Sequence, residues 1–227
     1  MRQETAVNSS TATAPMRTLP CATDITLAAK QTNGTPPVLL SSNAAPMAHP
    51  AWTHRTAAVF IPPAEVWPPI QAIRRVHDRQ VQRWMPHVTL LYPFAPRYEL
   101  PGLLPSLEAA CAALSPFEAT LASFHVFQHR SDRSTFWLAP EPRESFQRIQ
   151  SALQAAAPDY AHTSRFPGGF TPHLSVGQSG SAEEVAALLD RLRESWTPLV
   201  FPVAEVSIIA REGNRPFEVV RTLRLGR

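Results

Sequence analysis

The sequence predicts an α+β domain behind an unstructured amino-terminal segment. Three observations carry this expectation. Composition changes sharply near residue 50, strand and helix patterns then alternate with several strand-to-strand neighbours, and one short histidine-containing strand pattern occurs twice. The chain has 227 residues, 44% of them hydrophobic and 17% charged, enough to bury one sizeable core. No run of 18 apolar residues occurs, so no membrane helix is expected. Cys21 and Cys111 form no CxxC pair, which argues against a zinc ribbon or a disulfide scaffold and suits a reducing compartment. The pI is about 9.3, and of 21 basic side chains only Lys30 is lysine. Arginine suits bidentate phosphate binding, although GC-rich coding explains the ratio more simply.

Residues 1–50 are rich in Ser, Thr, Ala, Asn and Pro, with no aromatic residue and no amphipathic period. Such a stretch cannot bury enough apolar surface to offset its ordering entropy, so a disordered tail is expected. It has no signal-peptide apolar region, and its arginines are sparse for a transit peptide. Residues 51–227 form the expected folded domain.

In that domain, Thr56–Ile61 predicts a strand stopped by Pro62 and Pro63. Val66, Ile70, Ile73 and Val76 then recur at helical spacing up to Asp78. Met85–Tyr92 predicts a second strand. Leu103, Leu104, Leu107, Cys111 and Leu114 mark a second helix. Phe117–Gln128 and Ser134–Ala139 predict paired strands around a polar turn at 129–133, which carries Arg130 and Arg133. A third helix after Pro142 shows Phe146, Ile149 and Leu153 on one face. Gly168 and Gly169 precede a strand from Phe170 to Gly177. Ser181 and Glu184 suggest a capping box for a helix carrying Val185, Leu188, Leu189 and Leu192. Two final strands, Leu199–Ala210 and Phe217–Leu225, flank a hairpin turn at Gly213 and Asn214.

The twofold pattern is Pro86-His87-Val88-Thr89-Leu90 and Pro172-His173-Leu174-Ser175-Val176. In a strand, i and i+2 share a face. His87 therefore shares a face with Thr89, and His173 with Ser175, while their apolar neighbours turn to a core. Two imidazoles and two hydroxyls suit phosphodiester chemistry without a metal. One neutral imidazole accepts a proton, one imidazolium gives a proton, and the hydroxyls donate to phosphate oxygens. One histidine in a strand is usually a structural residue; two copies with the same proline and hydroxyl are a specific signal.

These motifs resemble the paired His-x-Thr/Ser-x motifs of the 2H phosphoesterase superfamily. The surrounding Arg83-Trp84-Met85-Pro86-His87-Val88-Thr89-Leu90-Leu91-Tyr92-Pro93-Phe94 is similar to its 2'-5' RNA ligase-like, cyclic phosphodiesterase branch. The resemblance covers about residues 53–227. It implies a bilobed α+β fold, with two antiparallel sheets and flanking helices related by a pseudo-twofold around a central cleft. It also implies catalytic His87 and His173, phosphate-binding Thr89 and Ser175, and metal-free action on 2',3'-cyclic phosphates or 2',5'-linked RNA ends. The second motif departs only in having serine where threonine is commoner.

Further contacts are expected from Trp84, Tyr92 and Phe170 as base-stacking rings, and from Arg83 and Arg165 as phosphate ligands. Core filling is the plainer alternative for the rings, and is favoured for Phe94. The other six histidines form no metal-ligand spacing, so neither metal nor cofactor is expected. Ser175 lacks the Gly-x-Ser-x-Gly setting of a nucleophile. For ring opening by water, His173 is cast as base and His87 as acid, an order that sequence symmetry leaves open. The expected partners are RNA ends or nucleotides, with no membrane, for a monomeric protein in the cytoplasm; organellar targeting by the tail stays open. The alternatives are a non-catalytic RNA- or nucleotide-binding module and a phosphodiesterase of a small cyclic nucleotide-type metabolite.

Overall fold

The computed structural model describes residues 51–129, 133–160, 169–180 and 182–226. The expected tail, Arg130, Arg165 and the Ser181 cap lie outside the described residues. Strand β1 (Thr56–Phe60) is followed by helix α1 (Trp67–His77), which starts with two prolines at its first turn, where no amide partner is lost. Strand β2 (Val88–Leu91), α2 (Leu100–Ala112), β3 (Phe117–His129), β4 (Arg133–Glu141) and α3 (Arg143–Ala156) come next. The chain ends with β5 (Leu174–Ser179), α4 (Ala182–Ser195), β6 (Leu199–Val203), β7 (Glu205–Ala210) and β8 (Glu218–Arg224).

The strands form two four-stranded antiparallel sheets, in the orders β2-β1-β7-β8 and β5-β4-β3-β6. This is the expected α+β architecture. Each sheet ends on one motif strand, β2 or β5. Each motif strand follows the same path: a strand (β1 or β4), a helix (α1 or α3), then a return to pair antiparallel with that strand. The internal repeat of the sequence is thus a repeat of supersecondary structure.

One continuous core joins the two sheets to the helices, with Phe60 against both Phe146 and Phe201. Phe94 is fully buried in it, as favoured from the sequence. Four boundaries differ from expectation. Leu199–Ala210 is two strands in different sheets, separated at Ala204, so the chain crosses from one sheet to the other there. The motif strands are shorter than expected, starting one residue after each histidine. Leu114 falls beyond α2. Val76 is 74% exposed, because at about 100° per residue it lies about 120° around α1 from Ile70. The core stripe instead takes Arg74, which is 2% exposed.

Gly177 on β5 is required for space. A Cβ there would sit 2.6 Å from the His77 Cβ and 2.8 Å from Phe136 Cε1, so its absence lets α1 dock on β5.

Candidate active site

Burial alternates along both motifs. Pro86, Val88 and Leu90 are buried while His87 and Thr89 are half-buried; Pro172, Leu174 and Val176 are buried while His173 and Ser175 are half-buried. The apolar residues anchor each segment in the core and leave one imidazole and one hydroxyl on the other face. Strands β2 and β5 pack against each other, and the two imidazoles lie within electrostatic reach: charge on His173 weakens proton binding at His87.

The two rings are held alike. His87 Nδ1 is 2.8 Å from the carbonyl oxygen of Met85, and His173 Nδ1 is 2.8 Å from that of Thr171. A carbonyl only accepts, so each Nδ1 carries the proton and donates it. In the neutral rings the lone pair therefore sits on Nε2. Both accepting carbonyls precede a proline, which holds that residue extended. The segment three residues before each histidine is also fixed from a helix. Arg74 of α1 donates to the Trp84 carbonyl at 2.8 Å, and Gln147 of α3 donates to the Phe170 carbonyl at 3.1 Å.

Arg74 belongs to a buried polar network that helical periodicity alone did not reveal. Its guanidinium pairs with Asp78 at 2.8 Å and also meets Gln71. The other oxygen of Asp78 accepts from the Gln80 amide and from Gln178 of β5 at 3.2 Å. Gln178 in turn accepts from the Arg79 amide at 3.0 Å. Every member is bonded, as burial of an ion pair demands.

Burial pushes the His87 imidazole down to about 4; the Arg74 guanidinium and His173 add to this, while the Met85 carbonyl and Asp78 oppose it. Burial also lowers His173, opposed by the Thr171 carbonyl. Both rings are therefore neutral at pH 7 in the protein alone, each Nε2 without a partner among the described residues. An anion beside them favours protonation. Among the described residues neither Thr89 nor Ser175 makes a side-chain hydrogen bond, so both hydroxyls are free to donate.

The structure sorts the other expected contacts. Trp84 stacks on His87 with centroids 4.6 Å apart, and Phe217 and Tyr92 also lie against it. These rings already cover it, so its place is behind the imidazole. Tyr92 is half-buried, its phenol raised by burial and eased back by Arg211 and Arg83. Arg83 is exposed next to that group. Phe170 packs on the main core rather than beside the imidazoles.

Two unexpected rings flank the second histidine. Phe127 meets His173 edge-on at 5.0 Å, and Trp137, directly across the sheet from Ser175, stacks between Phe127 and His125. The signal was present as alternation: His125, Phe127, Thr135 and Trp137 share a sheet face by register. Among the described residues no group of three or more His, Cys, Asp or Glu side chains converges to hold a metal ion.

A family model described as the 2'-5' RNA ligase superfamily matches residues 62–215, more than half of the chain and both motifs. The chain belongs to that superfamily. Family membership makes it a phosphoesterase-type enzyme. A protein of Bacillus cereus strain B4264 that carries a provisional phosphoesterase name is 25% identical over 172 residues, covering 74% of this chain and 95% of its own. The fold is similar to that of TT0787 of Thermus thermophilus, with a TM-score of 0.52 at 21% identity, covering 75% of this chain and 97% of that one. It is also similar to E. coli LigT in complex with 3'-AMP, with a TM-score of 0.50 at 18% identity, covering 78% of this chain and all of that one. No described helix is long and apolar enough to cross a membrane.

Proposed function

We propose that this superfamily member is a metal-independent phosphodiesterase that opens 2',3'-cyclic phosphates on RNA ends or nucleotides. The observation that carries the proposal is the matched pair of imidazoles, each with its proton fixed on Nδ1 and its Nε2 free, next to an unengaged hydroxyl. That is the equipment of a general base and a general acid.

The electrostatics favour the reverse of the order cast from the sequence. His87 has the Arg74 cation within electrostatic reach and is the harder to protonate, which suits the base; among the described residues no such cation bears on His173, which suits the acid. His87 Nε2 takes a proton from water as the water oxygen bonds to phosphorus. The bond from phosphorus to one ribose oxygen breaks, and His173 gives that oxygen its proton. Thr89 and Ser175 donate to the non-bridging oxygens, where charge grows in the transition state. With a 5'-hydroxyl in place of water, the same geometry forms a 2',5'-linkage, and in the reverse direction the two histidines exchange roles.

The test is a panel of 2',3'-cyclic nucleotides, 2',5'-dinucleotides and cyclic-phosphate-ended oligoribonucleotides, incubated with the protein in excess EDTA. The expected result is ring opening that the chelator leaves intact. Loss of activity in EDTA overturns the metal-free mechanism. Absence of turnover throughout, with RNA binding that survives loss of both histidines, favours the binding module.

A further inference from the structure

We infer that a second anion subsite, for the phosphodiester next to the reacting one, lies at the turn end of the paired strands β3 and β4. This rests on the proposed function and names its substrate as an RNA strand rather than a mononucleotide. A pocket of about 410 Å³ opens there, with Gln178 and Ser179 of β5, Thr135 of β4 and His129 of β3 around it, and Arg79 and Arg133 at its sides. It is separate from the two motifs, at the end of the sheet, and Thr135 carries the face of Trp137 into it. Thr135 pairs with Gln178, and two residues along β4 Trp137 pairs with Ser175. Residues i and i+2 share a face, so Thr135 lies one strand step, about 7 Å, along β4 from Trp137, the partner of Ser175; an irregularity in the register makes the same step three residues on β5, from Ser175 to Gln178. Such a step suits the advance of an extended single strand by one phosphate. Half-buried Phe127, backed by Trp137, flanks that path, where an aromatic face takes a base.

The charge of the pocket is that of an anion site. Among the described residues neither Arg79 nor Arg133 has a carboxylate partner. The acid nearest Arg79 in sequence, Asp78, is already neutralised by Arg74. Glu184 accepts from Ser179 at 3.5 Å and is the acid at the rim. Arg191 adds a third guanidinium nearby, close enough to lower the proton affinity of His77. The backbone N–H of Arg79 donates a hydrogen bond to the Gln178 side-chain oxygen, so its side chain leaves from a fixed point. His129 is bonded to Thr135 at 3.0 Å, which fixes the floor. Two guanidiniums match a phosphodiester, which arginine grips with paired donors.

The test is binding, independent of turnover. Isothermal titration compares 3'-AMP, which has one phosphate, with 3'-phosphorylated tri-adenylate, which has three, on wild type, Arg79→Ala/Arg133→Ala and the Arg79→Lys/Arg133→Lys control. Wild type is expected to bind the trinucleotide at least about tenfold more tightly than 3'-AMP, the scale of one or two charge-assisted hydrogen bonds. The double alanine variant should lose that advantage while its affinity for 3'-AMP stays within about twofold; the lysine control should keep part of it. Its salt dependence for the trinucleotide should also flatten. Equal loss for both ligands, no loss, or a wild type that does not prefer the trinucleotide overturns the subsite. Failure of the cyclic-phosphate panel would instead overturn the catalytic reading, whatever these affinities are.

Discussion

Gln178 on the second motif strand donates a hydrogen bond of 3.2 Å to Asp78 at the end of α1. Asp78 holds Arg74, and Arg74 holds the carbonyl of Trp84, the ring stacked on His87. A bonded chain thus runs from the strand of one histidine to the support of the other. It sets the relative position of two groups that act on one phosphorus in the proposed mechanism.

Gln178→Ala removes one link and leaves the ion pair intact. It should lower kcat by about tenfold with little change in KM and an unchanged circular dichroism spectrum, because misplacement costs rate before it costs fold. Asp78→Asn leaves a buried guanidinium without its partner and should cost about 3–5 kcal/mol of stability. Denaturant unfolding and steady-state kinetics check both. A Gln178→Ala enzyme with wild-type kcat would remove the positioning role.

Gly177→Val puts a side chain where the His77 Cβ and the Phe136 ring already lie. Helix α1 must lift from β5, which should cost about 1–3 kcal/mol, the usual scale of overpacking. Urea unfolding measures the loss. A variant as stable as wild type would show that α1 does not need this contact.

The pH dependence follows from the direction of the shifts. His87 and His173 both hold their protons less tightly than the ordinary 6.5, His87 down to about 4. In the free enzyme the base is ready above about 4 and the acid is lost as pH rises through the lowered value of His173. kcat/KM should therefore peak below about pH 6.5, while kcat, measured with an anionic phosphate bound, peaks at higher pH. Stability follows the same sign. The unfolded chain binds more protons than the folded one between 6.5 and about 4, so the melting temperature should fall on acidification through that window. A kcat/KM maximum above about pH 7 would contradict the assignment.

Residues 1–50 have no periodic apolar face. Their deletion should leave the melting temperature and the rate of ring opening unchanged. A large drop in either would mean that this segment packs on the domain.

The features that the sequence made legible were those with a short period. The repeated Pro-His-x-hydroxyl pattern and the apolar faces of Phe146, Ile149 and Leu153 correspond to burial in the structure. Arg74 and Asp78 were not legible, because an i,i+4 ion pair on a helix normally marks a solvated face. Only the approach of β5 from 100 residues away turns that pair inward. The break at Ala204 separates two burial patterns: β6 alternates, with Phe201 and Val203 buried, whereas β7 is buried at every position from Val206 to Ala210. A strand covered on one face and a strand covered on both belong to different places in the fold. Alternation along β3 and β4 groups Phe127 with His125 and Trp137 with Thr135, but only cross-strand register brings them to His173.

The central claim is that His87 and His173 act as one proton-transfer unit. The most direct measurement is the single-turnover rate of ring opening of a 2',3'-cyclic-phosphate-ended oligoribonucleotide in EDTA, for wild type, His87→Ala, His173→Ala and the double variant. Each single substitution should lower the rate by about a hundred-fold or more. The double variant should be within about tenfold of the worse single one, because residues that act as a unit are not additive. A single variant that keeps a near-wild-type rate, or a double variant whose loss is the product of the two, would contradict the account.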